Sequence, residues 1–270
     1  MATQHVASTS DARHSKGWQL VWYLAKNPLW LVGWIALIGA FVFQAIALHN
    51  GQISVVQPLL VTELVFSLVL RKVWIRQNIT TAAWVSAAFT CASVAVFIGV
   101  AEPHGGIATP SSGAWISSIV GCGVAAGLLA FLSLAGPPGR RAALLASSSA
   151  TIWAIEAAFI KSMTNTLTQF GVAGSFSHWP IYAVAVGGVC GVLLQQAALH
   201  VGPLRMSQPF LVIVDPLISI IFSVYLFGER FTQSAGNLAI ASLAFASLGA
   251  GVVLMTRTVP ETIEGDNSPS

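Results

Sequence analysis

The feature that most constrains this chain is a succession of apolar stretches, each about twenty residues long, with little polar sequence between them. A helix needs about 20 apolar residues to cross a bilayer core about 30 Å thick. Backbone N–H and C=O groups cannot stay unpaired in hydrocarbon, so a spanning segment of this length folds as a helix. Eight such spans are expected, at 29–48, 53–73, 80–100, 113–135, 142–162, 180–200, 206–227 and 234–256. Gly, Pro and charge gather in the connectors, as in "AEPHGGIATPSS", "GPPGRR" and "VGPLR". No connector is long enough to form a separate soluble domain.

Charge agrees with this reading. Only 8% of the residues are charged and 55% are hydrophobic, with a mean hydropathy of +0.77. A soluble domain carries about 25% charged residues. The expected fold class is all-α: a polytopic integral membrane protein with the lipid bilayer as its main partner. A net charge of +3 then reports topology rather than a nucleic-acid partner, because Lys and Arg gather in cytoplasmic loops. With both termini inside, ten Lys and Arg fall in the cytoplasm and only Lys161 and Arg230 fall outside. The expected location is the cell inner (plasma) membrane. The first 27 residues hold no uninterrupted apolar core, so no cleaved secretory signal is expected. Cys91, Cys122 and Cys190 fall inside apolar segments without CxxC spacing and read as small packing residues. Gly123 with Gly127, and Gly187 with Gly191, have the spacing of close helix contacts. Trp18, Trp22, Trp30, Trp74, Trp115 and Trp179 sit near expected helix ends, as in an interfacial belt.

An internal repeat organises the chain. Residues 44–61, "QAIALHNGQISVVQPLLV", align without a gap to 195–212, "QQAALHVGPLRMSQPFLV", with nine of 18 positions identical. Gln44/Gln195, His49/His200, Gly51/Gly202, Gln57/Gln208 and Pro58/Pro209 all match at an offset of 151. One inserted residue then aligns Glu63 with Asp215, Ser67 with Ser219 and Thr80 with Thr232 at an offset of 152. The matching spans are the first and the sixth. An odd separation reverses direction through the membrane, so an inverted-topology repeat bundle is expected. The layout is 1–27 as a cytoplasmic or truncated N-terminal segment, 28–135 and 142–256 as the two transmembrane repeats, and 257–270 as a disordered polar tail. The span at 142–162 lacks a first-half counterpart. The expectation is that the natural start lies upstream and that the full protein has nine spans.

The segment "DPLISIIFSVYLFGERFTQSAGNLAIASLAFASLGAGVVLM" resembles the closing signature of EamA-like members of the drug/metabolite transporter superfamily. Pro216, Gly228, Glu229, Thr232, Gly236, Gly249 and Gly251 carry the match. "LHNGQISVVQPLLV" and "LHVGPLRMSQPFLV" resemble a helix-loop-helix of the bacterial branch related to NIPA-type magnesium transporters. The resemblance covers roughly residues 28 to 256. It implies a transporter of nine or ten helices, so eight is a departure.

The residues that could carry chemistry are few. Glu63 and Asp215 fall near the middle of expected spans, where an ionised group costs about 2.5–3.5 kcal/mol. Each acid either binds a cation or proton or is a hydrogen-bonded residue that fixes packing. Glu156 is a third intramembrane acid. Lys161 lies five residues beyond it and off its face, so they do not read as an ion pair. Gln57-Pro58 and Gln208-Pro209 read as helix starts, where proline's missing N–H costs nothing, or as loosened starts that bind substrate. Pro216 is placed with them as a helix-start residue. His49 and His200 read as cap or loop residues, and Glu229-Arg230 as a helix-end charge pair.

No phosphate loop, Ser/His/Asp set or Cys/His cluster supports an enzyme, and no cofactor is expected. The expected function is secondary transport of a small metabolite or cation by alternating access. Substrate or ion binding is assigned to Glu63, Asp215, Glu156, Gln57 and Gln208, with protons as a candidate coupling ion and the metal left open. Mg²⁺ is one alternative substrate, since it favours oxygen ligands. A non-transporting membrane scaffold is another reading, and a homodimer would complete either version.

Overall fold

A computed structural model describes residues 28–74, 76–231 and 234–258. The expectations for 1–27 and for the polar tail past 258, and the pairing of Thr80 with Thr232, lie outside the described residues. The chain divides into two units, 1–47 and 48–270. The first contributes most of helix α1 (Pro28–Asn50). The second holds α2 (Ile53–Leu60), α3 (Glu63–Val73), α4 (Thr81–Ala101), α5 (Ser112–Leu132), α6 (Pro138–Ser175), α7 (Trp179–Val201), α8 (Leu204–Tyr225) and α9 (Ala235–Thr258). Two short strands, β1 (His104–Gly105) and β2 (Glu229–Arg230), pair antiparallel. Among the described residues eight helical segments are long and apolar enough to cross a membrane, counting α2 and α3 together.

Local sequence explains the helix starts. The side chains of Thr80 and Ser111 accept the backbone N–H groups of Ala83 and Ala114, capping α4 and α5. Pro138 and Pro180 stand within the first two positions of α6 and α7, where no N–H is needed.

Helix α6 is the axis of the second unit and packs against α5, α7 and α8. Ala142, Ala146, Ala150, Ala154 and Ala158 along it are all fully buried. A strict four-residue spacing drifts by about 40° per step around an α-helix, so this alanine line winds across the surface and serves several neighbours. Small residues let the backbones approach, and hydroxyls then bond across. Ser148 Oγ donates to Ala126 O at 2.8 Å and Ser149 Oγ donates to Gly191 O at 2.9 Å. A second seam joins α4 to α9. Ala83, Ala87 and Val94 there meet Leu248, Val252 and Met255.

Four expectations are corrected here. The span expected at 142–162 is a 38-residue helix, broken in its geometry only at Gly171. Polar residues beyond Lys161 end the apolar window, but they bond back to their own helix: Thr166 Oγ1 donates to Ser162 O and Thr168 Oγ1 to Asn165 O. His49 and His200 sit in the last turns of α1 and α7 rather than in loops. Trp115 is not an interfacial belt residue but a buried one, stacked on Phe159 at 5.6 Å between ring centroids. Gly187 and Gly191 do face α6, but a Cβ added at Gly123 or Gly127 would meet nothing within 4 Å. That stripe makes no close contact.

Gly202 gives a direct test of this packing. A Cβ there would meet Pro138 O at 2.7 Å and Ala142 Cβ at 2.8 Å, in an extended backbone that itself tolerates a side chain. Gly202→Ala is therefore expected to cost about 1–3 kcal/mol by overpacking. Gly123→Ala is expected to be neutral or stabilising by up to about 1 kcal/mol. Thermal unfolding of the two purified variants compares them.

Candidate functional site

The repeat-related helices α2 and α8 begin in the same register. Pro58 is the sixth residue of Ile53–Leu60, and Pro209 is the sixth of Leu204–Tyr225. Both prolines therefore lie inside their helices, and so does Pro216; the helix-start assignment of Pro58, Pro209 and Pro216 is corrected. Each ring removes one intrahelical hydrogen bond and crowds the carbonyl four residues earlier. The helix starts themselves fall at Ile53 and Leu204, before the Gln-Pro pairs.

The two halves then diverge. Helix α8 runs on without interruption, whereas the first-half span breaks at Val61–Thr62. Around the break the backbone bonds tighten to the three-residue pattern of a 3₁₀ turn. Thr62 N–H donates to Leu59 O at 3.0 Å and Val65 N–H to Thr62 O at 2.9 Å. Thr62 Oγ1 adds a bond to Leu59 O at 2.7 Å. The break falls where the first half is one residue shorter than the second. Two residues advance about 200° in an α-helix and about 240° in a 3₁₀ turn, while three α-helical residues advance about 300°. Tightening thus turns Glu63 part of the way back to the direction that Asp215 takes in α8.

Glu63 opens α3 and is exposed, while Asp215 is half-buried in the middle of α8. Ser219 Oγ donates to Asp215 Oδ1 at 3.1 Å, and the Glu63 carboxylate lies within electrostatic reach of Asp215. Val61, Leu64 and Leu68 belong to a buried cluster against which Val212 and Ile213 also pack. Glu63 and Asp215 thus border the same packed cluster, one at the start of α3 and the other in the middle of α8. Gln57 is buried and Gln208 half-buried, each one residue before its proline.

Glu156 stands apart, on α6 and facing α7. It is 3% exposed, and its carboxylate lies over Gly187 and Gly188. Among the described residues its Oε2 has no hydrogen-bond partner. Nor do any three His, Cys, Asp or Glu side chains among the described residues gather closely enough to hold a metal ion. A three-carboxylate cluster is therefore not formed. A cavity of about 320 Å³ between α5, α6 and α8 is lined by Ser117, Ser118, Cys122, Thr151, Phe222 and Tyr225, with no charged residue.

Sequence reasoning missed the tightest polar cluster. Glu229 does not form a helix-end pair with Arg230. It is 1% exposed and points at the start of α2, where it accepts from Ile53 N at 2.9 Å, Ser54 N at 3.2 Å and Ser54 Oγ at 2.6 Å. Lys161 Nζ stands 3.6 Å from Glu229 Oε1 and donates to Gly51 O at 2.6 Å. It also lies 5.4 Å from the Phe227 ring centroid, and Trp115 and Phe159 continue the aromatic wall. The residue before α2 is Gln52, whose side chain makes no cap, and Glu229 supplies the acceptor instead.

No family model matches the chain, and no solved structure matches it. Over 237 residues, 86% of this chain and 80% of the relative, it is 26% identical to an uncharacterized protein of Corynebacterium glutamicum.

Proposed function

We propose that this chain is a secondary transporter that moves a small metabolite or cation across the cytoplasmic membrane by alternating access. Its two halves are an inverted-topology repeat, both termini face the cytoplasm, and Glu63 and Asp215 handle the transported cation or a coupling proton. The observation that supports this reading is that the repeat aligns one acid in each half, Glu63 at a break in its span and Asp215 within electrostatic reach of it. Two like charges at membrane depth are costly, and sharing a proton or cation relieves the cost. A helix interruption beside such a pair is how many transporters line an ion site. Two carboxylates also suffice for a magnesium ion that keeps most of its water. The likeness to EamA-like transporters in residues 215–255 supports the same reading.

Flux into proteoliposomes tests it, with trapped Mg²⁺ and pH dyes reporting both species. The wild type is expected to carry one of them, and Glu63→Gln and Asp215→Asn are each expected to lose at least about tenfold, since each removes charge from the shared site. Folded wild-type protein that moves neither ion under any gradient would contradict the cation and proton version.

A further inference from the structure

We propose that Lys161 and Glu229 latch the short helix α2 at its N-terminal end, and that opening this latch swings α2 about the Val61–Thr62 joint beside the Glu63–Asp215 pair. The inference rests on the transport reading for its purpose, but its geometry stands alone. Helix α2 has eight residues, and a helix of that length is about 12 Å long. Its two ends are held differently. At the far end the 3₁₀ turns replace a helical continuation, so the backbone there has a joint. At the near end no local side chain caps the helix.

The side-chain hydrogen bonds at that near end come from distant elements, while Val55 N–H and Val56 N–H bond locally to Gln52 O. Glu229 supplies the acceptor for Ile53 N–H, Ser54 N–H and the Ser54 hydroxyl across 175 or more residues of sequence. Lys161, from α6, joins the carboxylate to Gly51 O just ahead of the helix. These are charge-assisted bonds, stronger and more directional than apolar contacts. They break together, because Lys161 and the two N–H groups share one carboxylate.

The anchored side is braced. Gly228 takes a left-handed φ of +63°, which turns the chain out of α8 and into β2. There Glu229 pairs with Gly105 of β1, and Ile107 N–H donates to Phe227 O at 2.7 Å. Asn165 Nδ2 of α6 donates to Ala108 O at 3.0 Å, tying the same loop to the helix that carries Lys161. The loop, α6 and β2 thus form the fixed jaw, and α2 is the part it holds. Lys161 and Glu229 are positioning residues: they touch neither acid of the proposed site but set the helix that leads to it.

Cysteine labelling tests the latch in full-length protein in liposomes. Cys91, Cys122 and Cys190 are replaced with alanine, and Ile53→Cys supplies one fully buried reporter at the latched end. The probe is a membrane-impermeant maleimide, on protein that elutes as a single folded species. Labelling of this reporter thiol is expected to rise at least about tenfold in Glu229→Gln and in Lys161→Met, because a closed latch excludes the reagent. It is also expected to change at least about threefold when Glu63→Gln or Asp215→Asn is added to an intact latch, because the joint connects them. Labelling that responds to Glu229→Gln but not to either acid variant would reduce Glu229 to a static cap and overturn the proposal. Labelling unchanged in every variant would overturn it as well. Coupled labelling in protein that carries no flux would leave the latch standing and remove the transport reading.

Discussion

Glu229→Ala is expected to lower the unfolding free energy by about 3–5 kcal/mol, the cost of breaking a buried ion pair from one side. The substitution leaves Ile53 N–H, Ser54 N–H and the Ser54 hydroxyl without their acceptor, and it strands the Lys161 ammonium beside Phe227. Lys161→Met is expected to cost less, about 1–3 kcal/mol, because Glu229 keeps its three hydrogen-bond donors although it loses its counter-charge and Gly51 O loses a partner. Denaturant unfolding in mild detergent reads both values. Equal losses would mean that the ion pair, not the cap, is what the helix start depends on. A loss below about 0.5 kcal/mol for Glu229→Ala, the range of an ordinary surface change, would mean that water replaces the carboxylate.

The second large effect has the opposite sign. Glu156→Leu is expected to stabilise the protein by about 1–3 kcal/mol, because a buried polar group left without a partner carries a penalty of that size. Its carboxyl group lies inside the α6–α7 contact, over Gly187 and Gly188, with one oxygen unpartnered among the described residues. A leucine fills similar volume and removes the penalty. If Glu156 also serves transport, the same variant gains stability and loses flux, the trade-off expected of a strained functional residue. A lower melting temperature for Glu156→Leu would show that the carboxyl group holds the helices together.

Much of the architecture was legible because hydropathy reports it directly. All eight expected spans have a counterpart among the described helices, since nothing but a helix buries its own backbone groups over about 20 apolar residues. What escaped was set by contacts between distant segments or by one-residue differences. The break at Val61–Thr62 leaves no Gly or paired prolines to mark it, and Thr62 is unremarkable on its own. Helix α6 outran its apolar window because Ser and Thr side chains satisfied themselves on their own carbonyls. Glu229 sits in a Gly-Glu-Arg turn that reads as local, while its partners lie far away in sequence at Ile53, Ser54 and Lys161. The repeat aligned Glu63 with Asp215 but carried no sign that Glu156 lies apart, on α6 over Gly187 and Gly188.

The most direct test of the account compares ion flux in the double variant Glu63→Gln/Asp215→Asn with that of each single variant, in proteoliposomes of equal protein content. Residues that act as one unit are strongly non-additive. If the two carboxylates form one site, either substitution alone abolishes most of the flux and the double variant is no worse. Losses that multiply, or a double variant that still transports at the wild-type rate, would contradict a shared site and with it the central claim.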